Sequence, residues 1–266
     1  MNKIKIVNDN LEMANVSDDI KVEYYEKECL FAISEIKINI LKSTKLNLEI
    51  NLKSDSKIAL NINLNDNVNL DLSIISTGVS GKIQYEYILN ENSICNIEKF
   101  QNIGCIKEKI IARLQGHNAN INYNFKTIAS GKECYDYYIF HDFSNTISNI
   151  KNNGVCINDG IITYQVSSFV PPKISDCIVN QNNRIINLTN NKCEIKPILY
   201  IDCDEISASH SAHIGKFSDD EIFYLQSRGI DYNSALKLLI SGFLKSDISN
   251  KKLLTTINKN IDSYWR

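Results

Sequence analysis

"LNLEINLKSDSKIALNINLNDNVNLDLSII", Leu46 to Ile75, is the stretch on which the fold turns. Leu46, Leu48, Ile50 and Leu52 alternate with Asn47, Glu49 and Asn51. Ile58, Leu60, Ile62 and Leu64 repeat the pattern, and Val68, Leu70, Leu72 and Ile74 repeat it again. Every apolar residue of the three sets falls on an even position, and the residues between them are mostly Asn, Asp, Glu or Lys. A side-chain period of two is that of a β-strand with one buried face, whereas a helix would show a period near 3.6. The breaks "KSDS" and "NDN" have turn chemistry, and the segment starts fall 12 and then 10 residues apart.

The same kind of segment continues outward from this stretch. "KIQYEYIL", "SICNIEKF", "KIIARL", "ANINYNFKTI", "CYDYYIF" and "GIITYQVSSF" all read as strands, and no amphipathic helix interrupts them up to about residue 205. Many short strands at even spacing predict a sandwich, a barrel or a β-solenoid. With 10 Gly and 3 Pro the chain has little of the punctuation a sandwich uses. A solenoid tolerates Asn-rich turns, because amide side chains can hydrogen-bond from coil to coil along the axis. The pattern therefore favours a mainly β fold, a β-helix or stacked β-roll.

The last fifty or so residues change character. Ser218-Asp-Asp-Glu221 reads as a capping box. Ile222, Phe223 and Leu225 follow as the apolar side of a first helix, and Gly229 is placed to end it in the left-handed conformation. Asp231 opens a second helix, in which Leu236, Ile240 and Leu244 are four apart, with Leu239 and Phe243 beside them. A third helix is expected from Ser246 or Asp247, carrying Leu253, Leu254, Ile257 and Ile261. The expected division is a β-helix core over residues 1–215 and a helical region over 216–266.

Composition narrows the functions. Net charge is -2, the sequence pI is about 6.1, and no basic run exceeds two residues. That speaks against nucleic acid and anionic membrane as partners. No apolar run approaches the ~20 residues needed to span a bilayer, and "MNKIKIVNDN" lacks the apolar core of a signal peptide. The expectation is a cytoplasmic protein with reduced thiols. Its eight cysteines, Cys29, Cys95, Cys105, Cys134, Cys156, Cys177, Cys193 and Cys203, form no C-x-x-C pair. Strand-like flanks predict buried small hydrophobes for those outside the C-terminal third.

Candidate chemistry is sparse. His210 and His213 lie in "SASHSAHIGKF", just ahead of the first helix. An H-x-x-H pair can offer two metal nitrogens if a turn brings them together, and Cys203 lies seven residues upstream of His210. In a regular strand, residues three apart instead face opposite sides, which favours boundary histidines. "DCDE" at 202–205 could hold a divalent cation, but solvation of an edge explains it as well. "SDD" at 218–220 is accounted for by helix capping and the helix dipole. Gly116-His117 and His141-Asp142 read as polar loops. The sequence contains no G-x-S-x-G, P-loop or H-E-x-x-H motif.

"SHSAHIGKFSDDEIFYLQSRGIDYNSALKLLISGF" resembles the signature of the SufB/SufD family, scaffold subunits of the SUF iron–sulfur assembly machine. The matching pieces are Ser209 to Gly215, Phe223 to Ile230 and Ala235 to Phe243. "NTISNIKNNGVCINDGIITYQV" and "QNNRIINLTNNKCEIKPILYI" also look like family core segments, so the resemblance covers roughly residues 105–245. It implies a right-handed parallel β-helix followed by C-terminal helices. Members usually carry an N-terminal helical domain as well, so a chain that begins directly in strands looks like a reduced version.

The resemblance also implies partners and sites. Members pair through their β-helix cores, and their C-terminal helices dock an ABC-type ATPase, SufC. His210 falls on the histidine that faces the partner in SufD-type members and is a proposed ligand of the nascent cluster. Where SufB-type members have a glutamate after that histidine, this chain has Ser211. Where they have the sulfur-accepting cysteine, an ungapped count gives Arg184. Both departures point to a SufD-like subunit. Cys193, Cys203 and His213 are further candidate metal ligands nearby: the two thiols have no family warrant, and His213 stands where the family usually has Thr, its role open. The expectation is thus a scaffold rather than an enzyme, sharing a transient iron–sulfur cluster with a SufB-like subunit or a second copy of itself. A SufC-like ATPase would be bound through Ile222, Phe223, Tyr224, Arg228, Gly229, Leu239 and Phe243. The rival expectations are a β-helix enzyme acting on polysaccharide and a metal-free structural homo-oligomer.

Overall fold

A computed structural model describes residues 2–26 and 33–265. Cys29 lies outside the described residues. The strands are β1 (Asn2–Val7), β2 (Asn10–Asn15), β3 (Ile20–Tyr25), β4 (Ser34–Ile40), β5 (Thr44–Leu52), β6 (Ser56–Leu64), β7 (Asn69–Leu89), β8 (Ile94–Leu114), β9 (Asn120–Ala129), β10 (Lys132–His141), β11 (Ile147–Cys156), β12 (Ile161–Val170), β13 (Cys177–Asn187), β14 (Glu194–Ile201) and β15 (Ile206–Gly215). Three helices follow, α1 (Asp219–Gln226), α2 (Tyr232–Lys245) and α3 (Lys251–Tyr264).

The strands wind into a β-solenoid of about seven turns with two facing walls. One wall runs β15-β13-β11-β9-β8-β7-β5-β1-β2, and the other places β14, β12, β10, β8, β7, β6, β4 and β3 side by side. Coil-to-coil pairing is parallel and in register, as between β9 and β11 (Asn120↔Ile147 to Ala129↔Cys156). The long strands β7 and β8 belong to both walls. The first half of β8 pairs with β9 and its second half with β10. Pieces that read as separate strands in the sequence are thus joined through an extended corner. Gly78 marks that corner in β7 with φ of +148°. A Cβ there would lie 2.2 Å from the Leu52 carbonyl oxygen, so only glycine fits against the preceding coil.

All twelve apolar residues of the Leu46–Ile74 pattern are buried in the lumen, none more than 3% exposed. Parallel stacking makes the period-two pattern a lumen pattern, since each inward residue sits on its counterpart in the next coil. The opposite corners are Asn turns. Asn67, Asn92, Asn118 and Asn145 all have φ between 52° and 60°, a left-handed conformation that Asn tolerates better than most residues. These turns are tied together: Asn92 Nδ2 donates to Asn67 Oδ1 at 3.1 Å, and Asn118 Nδ2 to Asn92 Oδ1 at 2.8 Å. A second ladder runs along the outer face of one wall. It passes from Asp71 through Asn96, Asn122, Asn149 and Asn180 to Ser209, each link 2.7–3.1 Å. The axial amide hydrogen bonding expected for Asn-rich coils is present.

The helices pack on the outer face of the same wall. Leu236, Ile240, Leu244, Ile248, Leu253, Ile257 and Ile261 form one cluster with Phe100, Ile128, Val155 and Ile186 of the strands. The Ser218–Glu221 capping box is formed, with Glu221 N–H donating to Ser218 Oγ at 3.2 Å and Ser218 N–H to Glu221 Oε2 at 2.9 Å. Gly229 has φ of +82° after α1, and Asp231 caps α2. The third helix corrects the sequence reading. Its cap is Asn250, not Ser246 or Asp247. Asp247 instead adopts φ of +60° in the turn, and its carboxylate pairs with Lys151 on β11. Among the described residues no helix is long and apolar enough to cross a membrane.

Candidate functional site

The C-terminal end of the solenoid differs from the N-terminal end. At the N-terminal end β2 and β3 reverse direction and pair antiparallel with β1 and β4. The β1–β2 pair carries a register shift at Lys5/Ile6 and the Lys5–Glu12 ion pair. Bulges and charges of this kind keep an edge from recruiting another strand. At the other end, β14 (EIKPILYI) pairs, among the described residues, only with β12 and carries Lys196 and Pro197, which blunt its edge. The strand β15 (ISASHSAHIG) pairs, among the described residues, only with β13 and has no acidic residue, no Lys, no Arg and no Pro. Its residues 207–214 are all exposed. It is a ten-residue edge with small side chains and a free row of backbone donors and acceptors.

Register places the two histidines. His210 aligns with Gln181 and His213 with Arg184. Gln181 points into the lumen, 2% exposed, and its Nε2 donates to Ser168 Oγ at 2.9 Å. His210 therefore lies on the lumen side of the open end. His213 lies on the outer side with Arg184, whose guanidinium stands 5.3 Å from the Phe243 ring. The strand keeps the two apart, as alternation requires, and they do not form a chelating pair.

The lumen that ends at His210 changes character along its length. The early coils are filled by Leu and Ile. The middle coils hold buried Tyr85, Tyr87, Tyr123, Tyr135, Tyr137 and Tyr164. Lys99 and Glu108 face each other there from opposite walls, Nζ to carboxylate 2.5–2.6 Å, and both are wholly buried. Burial pushes Lys99 down and Glu108 up, and their mutual attraction opposes both shifts. Glu133 accepts from Tyr135 Oη at 2.7 Å and Thr127 Oγ1 at 2.8 Å, yet burial raises its carboxyl to about 8. The last coils carry amides and hydroxyls, with Asn152 donating to Asn183 at 2.8 Å and Gln181 to Ser168. This polar lining was missed in the sequence. Its one trace there is charged residues on the apolar parity of a strand, Lys99 in phase with Cys95 and Ile97, and Glu108 in phase with Ile106 and Ile110.

The other candidates are dispersed. Among the described residues no three His, Cys, Asp or Glu side chains are grouped to hold a metal ion. Cys193 is buried, its sulfur 3.4 Å from that of Cys156. Cys203 packs in a small cluster with Val170, Cys177 and Val179. The cluster "DCDE" at 202–205 forms the exposed turn between β14 and β15. Two sequence readings need correction. Cys105 is exposed and Cys134 half-buried, because each lies at a corner or on an outward phase. His141 is no loop residue: it ends β10 fully buried, its ring nitrogens 2.8 Å from Thr146 Oγ1 and Ser148 Oγ, and burial lowers it to about 4.

The seven helical residues singled out as a docking surface divide into two groups. Phe223 is 70% exposed and Tyr224 57%, with the Arg228 guanidinium 5.1 Å from the Tyr224 ring and Gly229 open beside them. Ile222, Leu239 and Phe243 instead pack against the helix–wall cluster. Leu238 and Tyr232, both more than half exposed, add to the outward apolar face.

A family model described as "SUF system FeS cluster assembly, SufBD core domain" matches residues 48–243. The iron–sulfur cluster assembly protein SufD of Bacillus subtilis is 26% identical over 148 residues, 51% of this chain and 34% of that protein. A SufBD family protein of Mycobacterium leprae is 44% identical over 69 residues, 25% of this chain and 18% of its own length. SufD of Escherichia coli is 37% identical over 62 residues, 23% of this chain and 15% of its own. The matched stretches thus span about a third or less of these relatives.

Proposed function

Because the chain belongs to the SufBD family of SUF-system iron–sulfur cluster assembly proteins, we propose that it is a SufD-like scaffold subunit. In this reading it pairs through β15 with a SufB-like subunit or a second copy of itself. A nascent cluster, the cargo of the assembly, is held at that seam. The observation that carries the reading is the unblunted β15 edge with His210 on its lumen side, at the mouth of a polar interior. An added strand would satisfy the free backbone groups of β15 and cover His210, which converts an exposed imidazole into an interfacial one. Imidazole is a competent iron ligand beside thiolate or sulfide. The partner would supply the remaining ligands, since this chain gathers no set of three among its described residues.

ATP hydrolysis belongs to a SufC-like ABC ATPase in this reading, because the present sequence has no P-loop. Its contact is the outward face of α1 and α2, with Phe223, Tyr224 and Arg228 at the centre. Phe243, Leu239 and Ile222 support that face from beneath. The complex acts in the cytoplasm, where reduced thiols and iron delivery coexist. Family membership selects this reading over a polysaccharide-acting β-helix enzyme.

The test is co-expression with the ATPase and a SufB-like subunit, anaerobic isolation, and visible absorption of the complex. The expected result is a cluster chromophore that is lost in His210→Ala while the subunits still co-purify. A His210→Ala complex with undiminished absorption removes the ligand role. A complex that holds no iron under any partner condition would favour the metal-free oligomer instead.

A further inference from the structure

Cys156 and Cys193 stand apart from the scaffold site. Cys156 ends β11 on the lumen side, and Cys193 closes the 188–193 corner just before β14. Their sulfurs are 3.4 Å apart, although the residues are 37 positions apart in sequence. A disulfide bond is about 2.0 Å long, so the two sulfurs, already in contact, have about 1.4 Å left to close. Among the described residues theirs is the sulfur–sulfur contact that the hydrogen-bond geometry shows; Cys177 and Cys203 share a small cluster, and Cys177 bonds Thr146.

From this geometry we infer that Cys156 and Cys193 form a dithiol site that reacts with low-molecular-weight disulfides, Cys193 attacking and Cys156 resolving. The two sulfurs share protons unequally. The hydrogen bond between the two sulfurs and the Ile162 backbone hydrogen bond hold the Cys193 thiol down to about 7, while Cys156 is raised. The thiolate is the nucleophile in such exchange, and an attacking thiol near ambient pH is favoured. Cys193 retains 8% exposure at a corner, whereas Cys156 is fully buried. Only Cys193 is reachable by a reagent from solvent.

The chemistry balances in two steps. The Cys193 thiolate attacks one sulfur of the external disulfide, forms a mixed disulfide and expels the other half as a thiolate. The Cys156 sulfur then attacks the Cys193 sulfur, forms the internal disulfide and releases the second half, and the Cys156 proton leaves with it as thiol. Two protein thiols are oxidised and one external disulfide is reduced to two thiols. The product would staple the 188–193 corner to β11. That corner begins at Leu188, which packs against the helix–wall cluster, so oxidation would stiffen the seat of the helices.

The full-length reduced protein is incubated with a graded series of oxidised to reduced glutathione and mapped by mass spectrometry after thiol blocking. The expected product is a Cys156–Cys193 linked peptide lacking two hydrogens, reversible by reductant. Cys156→Ser should instead retain a glutathione adduct on Cys193, for want of a resolving thiol. Cys193→Ser should leave Cys156 unmodified. Exposed Cys105 serves as the internal control, taking an adduct but no internal link. Adducts on Cys105 with no linked peptide at any ratio overturn the proposal, as does a glutathione adduct on Cys156 in Cys193→Ser. The wild-type map decides the matter even if either variant folds poorly.

Discussion

Glu133 shows how a single residue in the lumen is held. Its carboxyl is fully buried, accepts hydrogen bonds from Thr127 and Tyr135, and is raised by burial from 4.5 to about 8. A carboxyl that binds its proton more tightly folded than unfolded favours the folded state most below the unfolded pKa. That contribution fades as pH rises from about 4.5 to about 8. His141 acts in the opposite sense: lowered from 6.5 to about 4, it contributes above the higher value and loses that contribution as pH falls through the window. The two overlap in the acid range, so total stability is not the right readout. The difference in unfolding free energy between wild type and Glu133→Gln should decline steadily between pH 5 and pH 8, measured by denaturant titration. A pH-independent difference would show that Glu133 is ionised in the folded protein. In "SGKECYDYYIF" the only trace is parity, Glu133 in phase with Tyr135, Tyr137 and Ile139. Burial arises only when β10 closes the lumen opposite β9.

At the scale of elements, among the described residues the outer edge of β15 and the outward face of α1 are surfaces without a partner inside the chain. Ala212 aligns with buried Asn183 on the lumen side of β15. Ala212→Lys puts a charge on a free edge, the device that natural edge strands use against pairing. The expected outcome is unchanged stability within about 0.5 kcal/mol, with loss of association through β15, read by sedimentation with and without the SufB-like subunit. Undiminished association would move the interface elsewhere. On α1, Phe223 is 70% exposed. Phe223→Ala should also leave the unfolding midpoint nearly unchanged, while capture of the ATPase in a pull-down falls at least tenfold, about 1.4 kcal/mol. Retention at the wild-type level would remove Phe223 from the docking face. The helices themselves were legible, because capping residues and i, i+4 spacing are local signals. The start of α3 was not: Asp247 looks like a cap but is drawn off by Lys151, a contact between residues 96 apart.

For the whole molecule, the solenoid and the helices share one apolar cluster. Phe100, Ile128, Val155 and Ile186 are covered by α2 and α3. The Glu98 carboxylate accepts from Ser249 and Asn250 N–H at 2.8 and 2.9 Å, fixing the turn before α3 to the wall. A chain ending at Gly215 would uncover that outer face. We expect it to bind an apolar dye and aggregate, whereas the full chain stays monodisperse by light scattering. A soluble, dye-negative fragment would mean that 1–215 is an independent domain.

Sequence alone determined the class of the fold, because alternation at Leu46–Ile74 and the Asn turns are imposed by local sterics and need no knowledge of distant residues. It also determined the caps of α1 and α2 and, through "SHSAHIGKF" and "FYLQSRGI", the resemblance that the family match bore out. Tertiary structure alone decided what each inward residue meets across the lumen. It paired Lys99 with Glu108, buried His141, brought Cys193 to Cys156 and decided that His210, not His213, faces the lumen at a free edge. The reason is that a solenoid's register along one wall follows from its repeat, while the contact between walls depends on the length of every corner, summed over coils.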